Sequence, residues 1–193
     1  MKIKRSALLV YAAAACLLSA CATDFKIDKY SPDTDNIRLL QSKNIEADVG
    51  DFTYCENCNR EALEKEIKIR LVTLYSPYSG GFPEYLKESI KLEFMLADKY
   101  KAGSLNRISA VITENRLSSH GSGSLAALVT VNRNGQTAYE KELSYEHSFP
   151  FKFMGIQAIH LTRQQYPIMV KALLSKLYSD PDFIKAISTT NEE

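Results

Sequence analysis

The chain passes through several distinct rhythms of apolar and polar positions. Residues 7–18 form an unbroken apolar run behind Lys2, Lys4 and Arg5. That run is shorter than the ~20 residues a membrane-spanning helix needs and has the length and basic flank of an export signal. Residues 22–44 are polar, contain Ser31-Pro32-Asp33 and offer few apolar anchors, a pattern that predicts a tether with one short helical turn near residues 37–41. Alternation begins at Ile45, with Ala47 and Val49 on the same face. Gly50 and Asp51 interrupt it as a bulge or strand end, and Phe52 resumes it. A second half-buried strand is predicted where Ile67, Ile69 and Leu71 alternate with Lys68, Arg70 and Val72. A helix starting near Glu61 is the competing reading, because residues 61–68 are strong helix formers.

After the turn signal Ser76-Pro77-Tyr78-Ser79-Gly80-Gly81 the period changes. Pro83 suits the first helical position and Glu84 the positive end of the helix dipole. Leu86, Ile90, Phe94 and Ala97 form an apolar stripe at helical spacing, and Gly103 lies beyond it. Tyr85 and Phe94 read as core. Three β runs follow. Ile108, Ala110 and Ile112 alternate with Ser109, Val111 and Thr113, and residues 125–131 are small and aliphatic. An Asn134-Gly135 hairpin turn then leads into Tyr139, Lys141, Leu143 and Tyr145, out of phase with Glu140, Glu142 and Ser144. The Ser/Gly-rich residues 118–124 between the first two runs read as a flexible loop; no helix follows its glycines, so no phosphate cradle is predicted. A long helix over about 156–179 carries Ile159, Tyr166, Val170, Leu173 and Leu177 on one stripe, with a kink or restart expected at Pro167. Asp180 caps a short terminal helix with Pro181 first, and Phe183 and Ile187 as its apolar contacts.

These elements predict an α+β fold: a mainly antiparallel four- to five-stranded sheet with two amphipathic helices packed on one face. The organisation expected is residues 1–20 as a signal peptide, 21–44 as modified N-terminus and tether, and 45–193 as a single domain. Between the last strand and the long helix, Phe149, Phe151, Phe153 and Met154 crowd around Pro150 and Lys152. They either plug the sheet-to-helix corner or form an exposed apolar lip, a candidate binding surface for a lipid or protein partner.

At the end of the apolar run, Leu18-Ser19-Ala20-Cys21 is similar to a bacterial lipobox. The resemblance implies cleavage before Cys21, whose thiol takes a thioether-linked diacylglycerol, giving a membrane anchor through acyl chains. Ala22 stands where aspartate would resemble an inner-membrane retention signal, so the implied address is the outer membrane, facing the periplasm. Loss of three basic and no acidic residues shifts the formal charge from +1 to −2 and leaves 173 residues. This near-neutral body has no electrostatic footprint for nucleic acid. In the mature protein Cys55 and Cys58 remain, a Cys-x-x-Cys in an oxidising compartment. A structural disulfide is the favoured reading. A metal site needs two more ligands, and His120, His147 and His160 do not stand at ligand spacing, so neither metal nor other cofactor is predicted. A thiol-redox pair would want the motif opening a helix within a βαβ context that the chain does not display.

Over roughly residues 45–187 the order of elements, with Phe82-Pro83-Glu84-Tyr85-Leu86-Lys87-Glu88, Gly123-Ser124-Leu125-Ala126-Ala127 and Leu177-Tyr178-Ser179-Asp180-Pro181-Asp182-Phe183, resembles small periplasmic domains of envelope lipoproteins. The LPS-assembly lipoprotein and the auxiliary lipoproteins of ABC-type transport systems are of this type. No functional residue is carried over. With no convergent nucleophile, base and orienting group in the sequence, the expectation is a non-catalytic accessory or assembly module in envelope maintenance or transport, working with an envelope protein partner. The alternatives are a carrier of a lipid or other hydrophobic ligand and a periplasmic redox protein using Cys55 and Cys58.

Overall fold

The structure, a computed structural model, describes residues 25–58, 63, 65–69, 72–118, 120–150 and 155–189. Its elements are β1 (Phe25–Lys26), α1 (Thr34–Gln41), β2 (Asp48–Tyr54), β3 (Ile67–Ile69), β4 (Val72–Tyr75), α2 (Gly81–Leu96), β5 (Asn106–Ser118), β6 (Ser122–Arg133), β7 (Gln136–Ser148), α3 (Gly155–Ser179) and α4 (Pro181–Ala186). The class is α+β, but the sheet differs from the expectation. The strands divide into a four-stranded sheet, β2-β5-β6-β7, and a three-stranded sheet, β1-β4-β3, and both are mixed. β2 runs parallel to β5 and β1 parallel to β4, while β5, β6 and β7 form an antiparallel meander. Apolar alternation places a strand without giving its direction. The long connection from β2 through α2 to β5 is what permits parallel pairing, which a tight turn cannot make.

The meander follows its sequence pattern closely. Ile108, Ala110 and Ile112 are buried on one face, as are Leu125, Ala127, Val129 and Val131 of β6 and Tyr139 and Leu143 of β7. Thr113 is an extra residue in β5: Ile112 pairs with Ala127 and Glu114 with Ala126. This bulge reverses the phase, so Asn115 and Leu117 take over the core face while Arg116 turns outward. The β6–β7 turn is the expected Asn134-Gly135 pair, with φ of 52° and 78°, the left-handed conformations that match the twist of a two-residue hairpin. The anticipated loop at 118–124 is shorter than predicted, since β6 already begins at Ser122. Gly123 sits inside that strand because α3 presses on it: a Cβ there would lie 2.7 Å from Met169 Sδ and 2.8 Å from Leu117 Cδ1.

Helices α2 and α3 supply most of the remaining core. Leu86, Ile90, Phe94 and Ala97 are all buried, with Phe82 and Tyr85 beside them. Tyr166, Val170, Leu173 and Leu177 are buried on α3, and Ile159 is half-buried. The two helices meet through aromatic rings: Tyr166 lies 4.7 Å from Phe82 and 5.3 Å from Tyr85, and Tyr178 lies 5.8 Å from Phe94. Pro167 sits within a continuous α3, so the helix does not restart there. Asp180 caps α4 by accepting from the Asp182 amide, with Pro181 in the first turn. The predicted strand at 67–72 is two strands, β3 and β4, paired from Ile67↔Leu74 to Ile69↔Val72. No glycine or proline marks a turn between them.

The largest departure is at the N-terminal side. Residues 25–44, expected to be a tether, are built into the body. Phe25 pairs with Leu74, and Ile27, Tyr30 and Leu40 are buried. The predicted helical turn is a full helix, α1, capped by Asp33, whose side chain accepts from the amides of Asp35 and Asn36. The run reads as a tether because its apolar residues are too widely spaced to show a period, yet each meets a prepared partner far along the chain.

Candidate functional site

The ends of the elements define two poles. β2 and β6 run in opposite directions along the large sheet, and α2 and α3 lie side by side in the same direction, Phe82 at the start of α2 facing Tyr166 midway along α3 and Phe94 facing Tyr178 near its end. One pole gathers β1, the Cys55–Cys58 loop, the β5–β6 turn and Phe149. The other gathers the C-terminus of α2, the β6–β7 turn and α4.

At the first pole the Cys55 and Cys58 sulfurs stand at disulfide distance, 2.05 Å. The Cys55 amide donates to Ile112 O at 2.9 Å, extending the β2–β5 pairing by one residue into the loop. Lys65 Nζ lies 5.3 Å from the centre of the Tyr54 ring. A cleft of about 560 Å³ opens beside the cysteines, lined by Glu56, Leu63, Lys65, Glu66 and Lys68. A second, of about 430 Å³, lies over the end of the meander and includes Lys68, Glu114, Arg116, Ser124, Glu146 and His147. The second is walled mainly by charged and hydroxyl groups, a lining suited to water or a polar solute more than to an acyl chain, whereas the first mixes charged side chains with Leu63 and the cysteines.

Ser124 Oγ donates directly to Glu114 Oε1 at 2.5 Å, while His147 Nε2 is 2.9 Å from Gln165 Oε1 on α3. A serine nucleophile would need a histidine between itself and the carboxylate; these residues do not make that relay. His147 is instead the middle of a stacked file along β7, 5.9 Å from Tyr145 and 5.6 Å from Phe149. His120 occupies the β5–β6 turn, its Nδ1 3.1 Å from Ser118 Oγ, and His160 is exposed on α3. The three histidines are therefore not brought together. Among the described residues no group of three or more His, Cys, Asp or Glu side chains is arranged to hold a metal ion. Of the predicted lip, Phe149 packs half-buried against the core, with its amide bonded to Gly121 O at 2.9 Å. Phe151, Phe153 and Met154 lie outside the described residues, as does Cys21.

Sequence reasoning missed the buried acidic site. Glu93 of α2 is fully buried. It accepts from Tyr30 Oη at 2.6 Å and the Asp33 amide at 2.9 Å, with Asn36 Nδ2 at 3.4 Å from its other oxygen. Burial raises its carboxyl pKa, while the hydrogen bonds from Tyr30, the Asp33 amide and Asn36 pull the other way and only partly offset it. The same burial, reinforced by Glu93, drives the Tyr30 and Tyr178 hydroxyls far above the ordinary tyrosine range. A signal for this site was present: Glu93 falls seven residues after Leu86 and three after Ile90, on the apolar stripe itself. Asn36 also donates to Lys171 O on α3 at 3.2 Å, so one small polar cluster ties residues 30–36 to both long helices. Closer to β1, Asp28 is paired with Arg163 and its carbonyl accepts from Tyr85 Oη at 3.0 Å.

No family model matches the chain, and neither does any curated protein. A solved structure does. Protein XCC0632 of Xanthomonas campestris, of the DUF330 family, superposes with a TM-score of 0.54 at 8% sequence identity, over 81% of this chain and 92% of that one. The likeness is one of fold. A second solved structure, of an uncharacterised protein, gives a TM-score of 0.47 at 8% identity over 80% of this chain and 99% of the other, too loose an agreement to build on. At such identity the chemistry of a site is not carried across, because folds host many unrelated functions. The residues of the two poles stand on their own physics.

Proposed function

We propose that the protein is a non-catalytic, lipid-anchored component of the bacterial outer membrane, facing the periplasm and serving envelope maintenance or transport as an accessory or assembly module. The observation that carries this reading is the spacing of its first two features. The lipobox-like Leu18-Ser19-Ala20-Cys21 is followed, four residues after the cysteine, by a strand that belongs to the folded body. A signal segment joined so closely to a domain suits modification at Cys21 followed by retention at a membrane surface. The bonded Cys55 and Cys58 suit an oxidising compartment outside the cytoplasm. Among the described residues no helix is long and apolar enough to cross a membrane.

Mass spectrometry of the protein purified from membranes tests the reading directly. The expected N-terminus is Cys21 bearing a diacylglyceryl group, and the Cys21→Ala variant should appear unprocessed or in the soluble fraction. A variant that matures normally and stays membrane-bound overturns the proposal. Crosslinking in intact cells should capture a discrete envelope protein; a domain that remains monomeric under conditions that trap known envelope complexes argues against an accessory role.

A further inference from the structure

The first pole gains a physical role once the length of chain before it is set against the size of the body. Three residues, Ala22, Thr23 and Asp24, separate Cys21 from Phe25. Whatever path they take, four residue steps reach at most ~14 Å. The body does not readily lend more chain. The Ile27 amide is bonded to Tyr75 O at 2.8 Å, Ile27 is 2% exposed, Asp28 is held by Arg163 and Tyr85, and Tyr30 by Glu93. The opposite pole is farther away than this leash is long. Helix α3 runs from Arg163, in contact with Asp28, to Ser179, a rise of about 24 Å at 1.5 Å per residue. That far pole carries the exposed apolar side chains Met95, Leu96 and Leu105.

We infer that the domain is held end-on against the bilayer, with the pole of β1 and the Cys55–Cys58 loop on the lipid headgroups and the pole of Met95, Leu96 and Leu105 turned away from the membrane. The occupant of the near pole is the lipid surface, and the short leash selects it: a reach of about 14 Å cannot bring a pole about 24 Å beyond Asp28 to the headgroups. The near pole is chemically suited to that contact. Lys26 and Lys68 are exposed on the small sheet and Lys65 on the adjoining segment, each able to meet phosphate oxygens, while Glu56 and Glu66 stand beside the last two, so the leash and not a net positive charge selects this face. The same leash leaves the apolar residues of the far pole displayed toward the periplasm instead of sunk in lipid.

The inference rests on lipidation at Cys21, and the test separates the two. The chain contains no tryptophan, so single tryptophans report position without background. Lys26→Trp and Lys68→Trp mark the near pole, and Leu105→Trp the far one. Each full-length protein, processed in cells and confirmed by intact mass to carry its acyl groups, is placed in phosphatidylethanolamine/phosphatidylglycerol vesicles containing a headgroup nitroxide lipid. The near-pole tryptophans should be quenched at least about twofold more than the one at position 105, given the difference in reach. Equal quenching, or stronger quenching at 105, overturns the orientation. Inserting about 15 Gly/Ser residues between Thr23 and Asp24 lengthens the leash beyond the body. Flotation with vesicles should persist while the quenching difference collapses; a difference that survives the insertion shows that the leash does not set the orientation. Protein without acyl groups on Cys21 would defeat the anchoring proposal instead, a result read from the mass and not from the quenching.

Discussion

The β5–β6–β7 meander and the segment 25–41 sit in the same molecule and are held in opposite ways. The meander is stabilised by neighbours in sequence: long ladders register each strand against the next, and a two-residue turn sets the second hairpin. Segment 25–41 has local support only within the eight-residue α1 and its Asp33 cap. Its partners include Tyr75, Glu93, Arg163 and Lys171, all far along the chain. Local ladders can form early, whereas contacts at such separation come after loop closure and bind a segment only once the rest is in place. The segment nearest the proposed anchor is therefore the one most dependent on the finished body.

The contrast breaks most sharply at Glu93. Glu93→Ala leaves Tyr30, the Asp33 amide and Asn36 without their acceptor in a buried site and should cost about 3 kcal/mol. In hydrogen exchange, amides of residues 27–41 should lose protection well before those of β5 and β6. Uniform loss across both regions would mean that the segment is not a separate unit. A change in the meander should act the other way. Gly135→Val places a branched side chain at φ 78° and should cost about 1–2 kcal/mol. Equilibrium denaturation should show that loss, while residues 27–41 keep their relative protection.

A smaller effect of about 1 kcal/mol or somewhat more is expected from Asp180→Ala. The change removes the cap of α4 and the carboxylate that Tyr139 Oη and Lys141 Nζ reach at 3.0 and 2.8 Å. Its measurement is again the denaturation midpoint, with the exposed Lys141 contributing little because solvent screens it.

The subtlest distinction is one of pH, since the two buried carboxyls shift in opposite directions. Glu93 has a folded pKa above its unfolded value, so its contribution is fully present below the ordinary carboxyl range and is lost as pH rises through the folded value. For Asp180 burial acts to raise the pKa, but hydrogen bonds from Lys141, the Asp182 amide and Tyr139 outweigh it and leave the value lowered. Its contribution is present above the unfolded value and lost as pH falls through the folded one. Between mildly acidic and neutral pH, Glu93→Gln should lose less stability than the parent protein does. Below the ordinary carboxyl range, Asp180→Asn should lose less than the parent. Parallel pH profiles for parent and variants would contradict both assignments.

Much of this was legible in residue order. The stripe Leu86, Ile90, Phe94, Ala97, the Asn134-Gly135 turn, the interruption of β2 at Gly50-Asp51 and the Asp180-Pro181 helix start all record local rules, and the structure follows them. The β3–β4 hairpin escaped because Ile67, Ile69, Val72 and Leu74 alternate almost without a break and no turn residue divides them. The polar site around Glu93 escaped for a different reason. A glutamate on an apolar stripe is visible, but its partners Tyr30, the Asp33 amide and Asn36 lie 57 to 63 residues away and share no pattern with it.

By itself, then, the sequence determined the α+β class, the positions of the two long helices and the meander, and a cysteine set just behind an apolar leader. Those properties depend on side-chain periodicity and on turn conformations within a few residues. Tertiary structure alone decided that β2 lies parallel to β5, that residues 25–41 are wall and not leash, and that one pole carries the chain's entry. Strand direction and docking of a sparse segment are set by which distant surfaces are left to be covered, and no local pattern encodes a surface that exists only after the rest has packed.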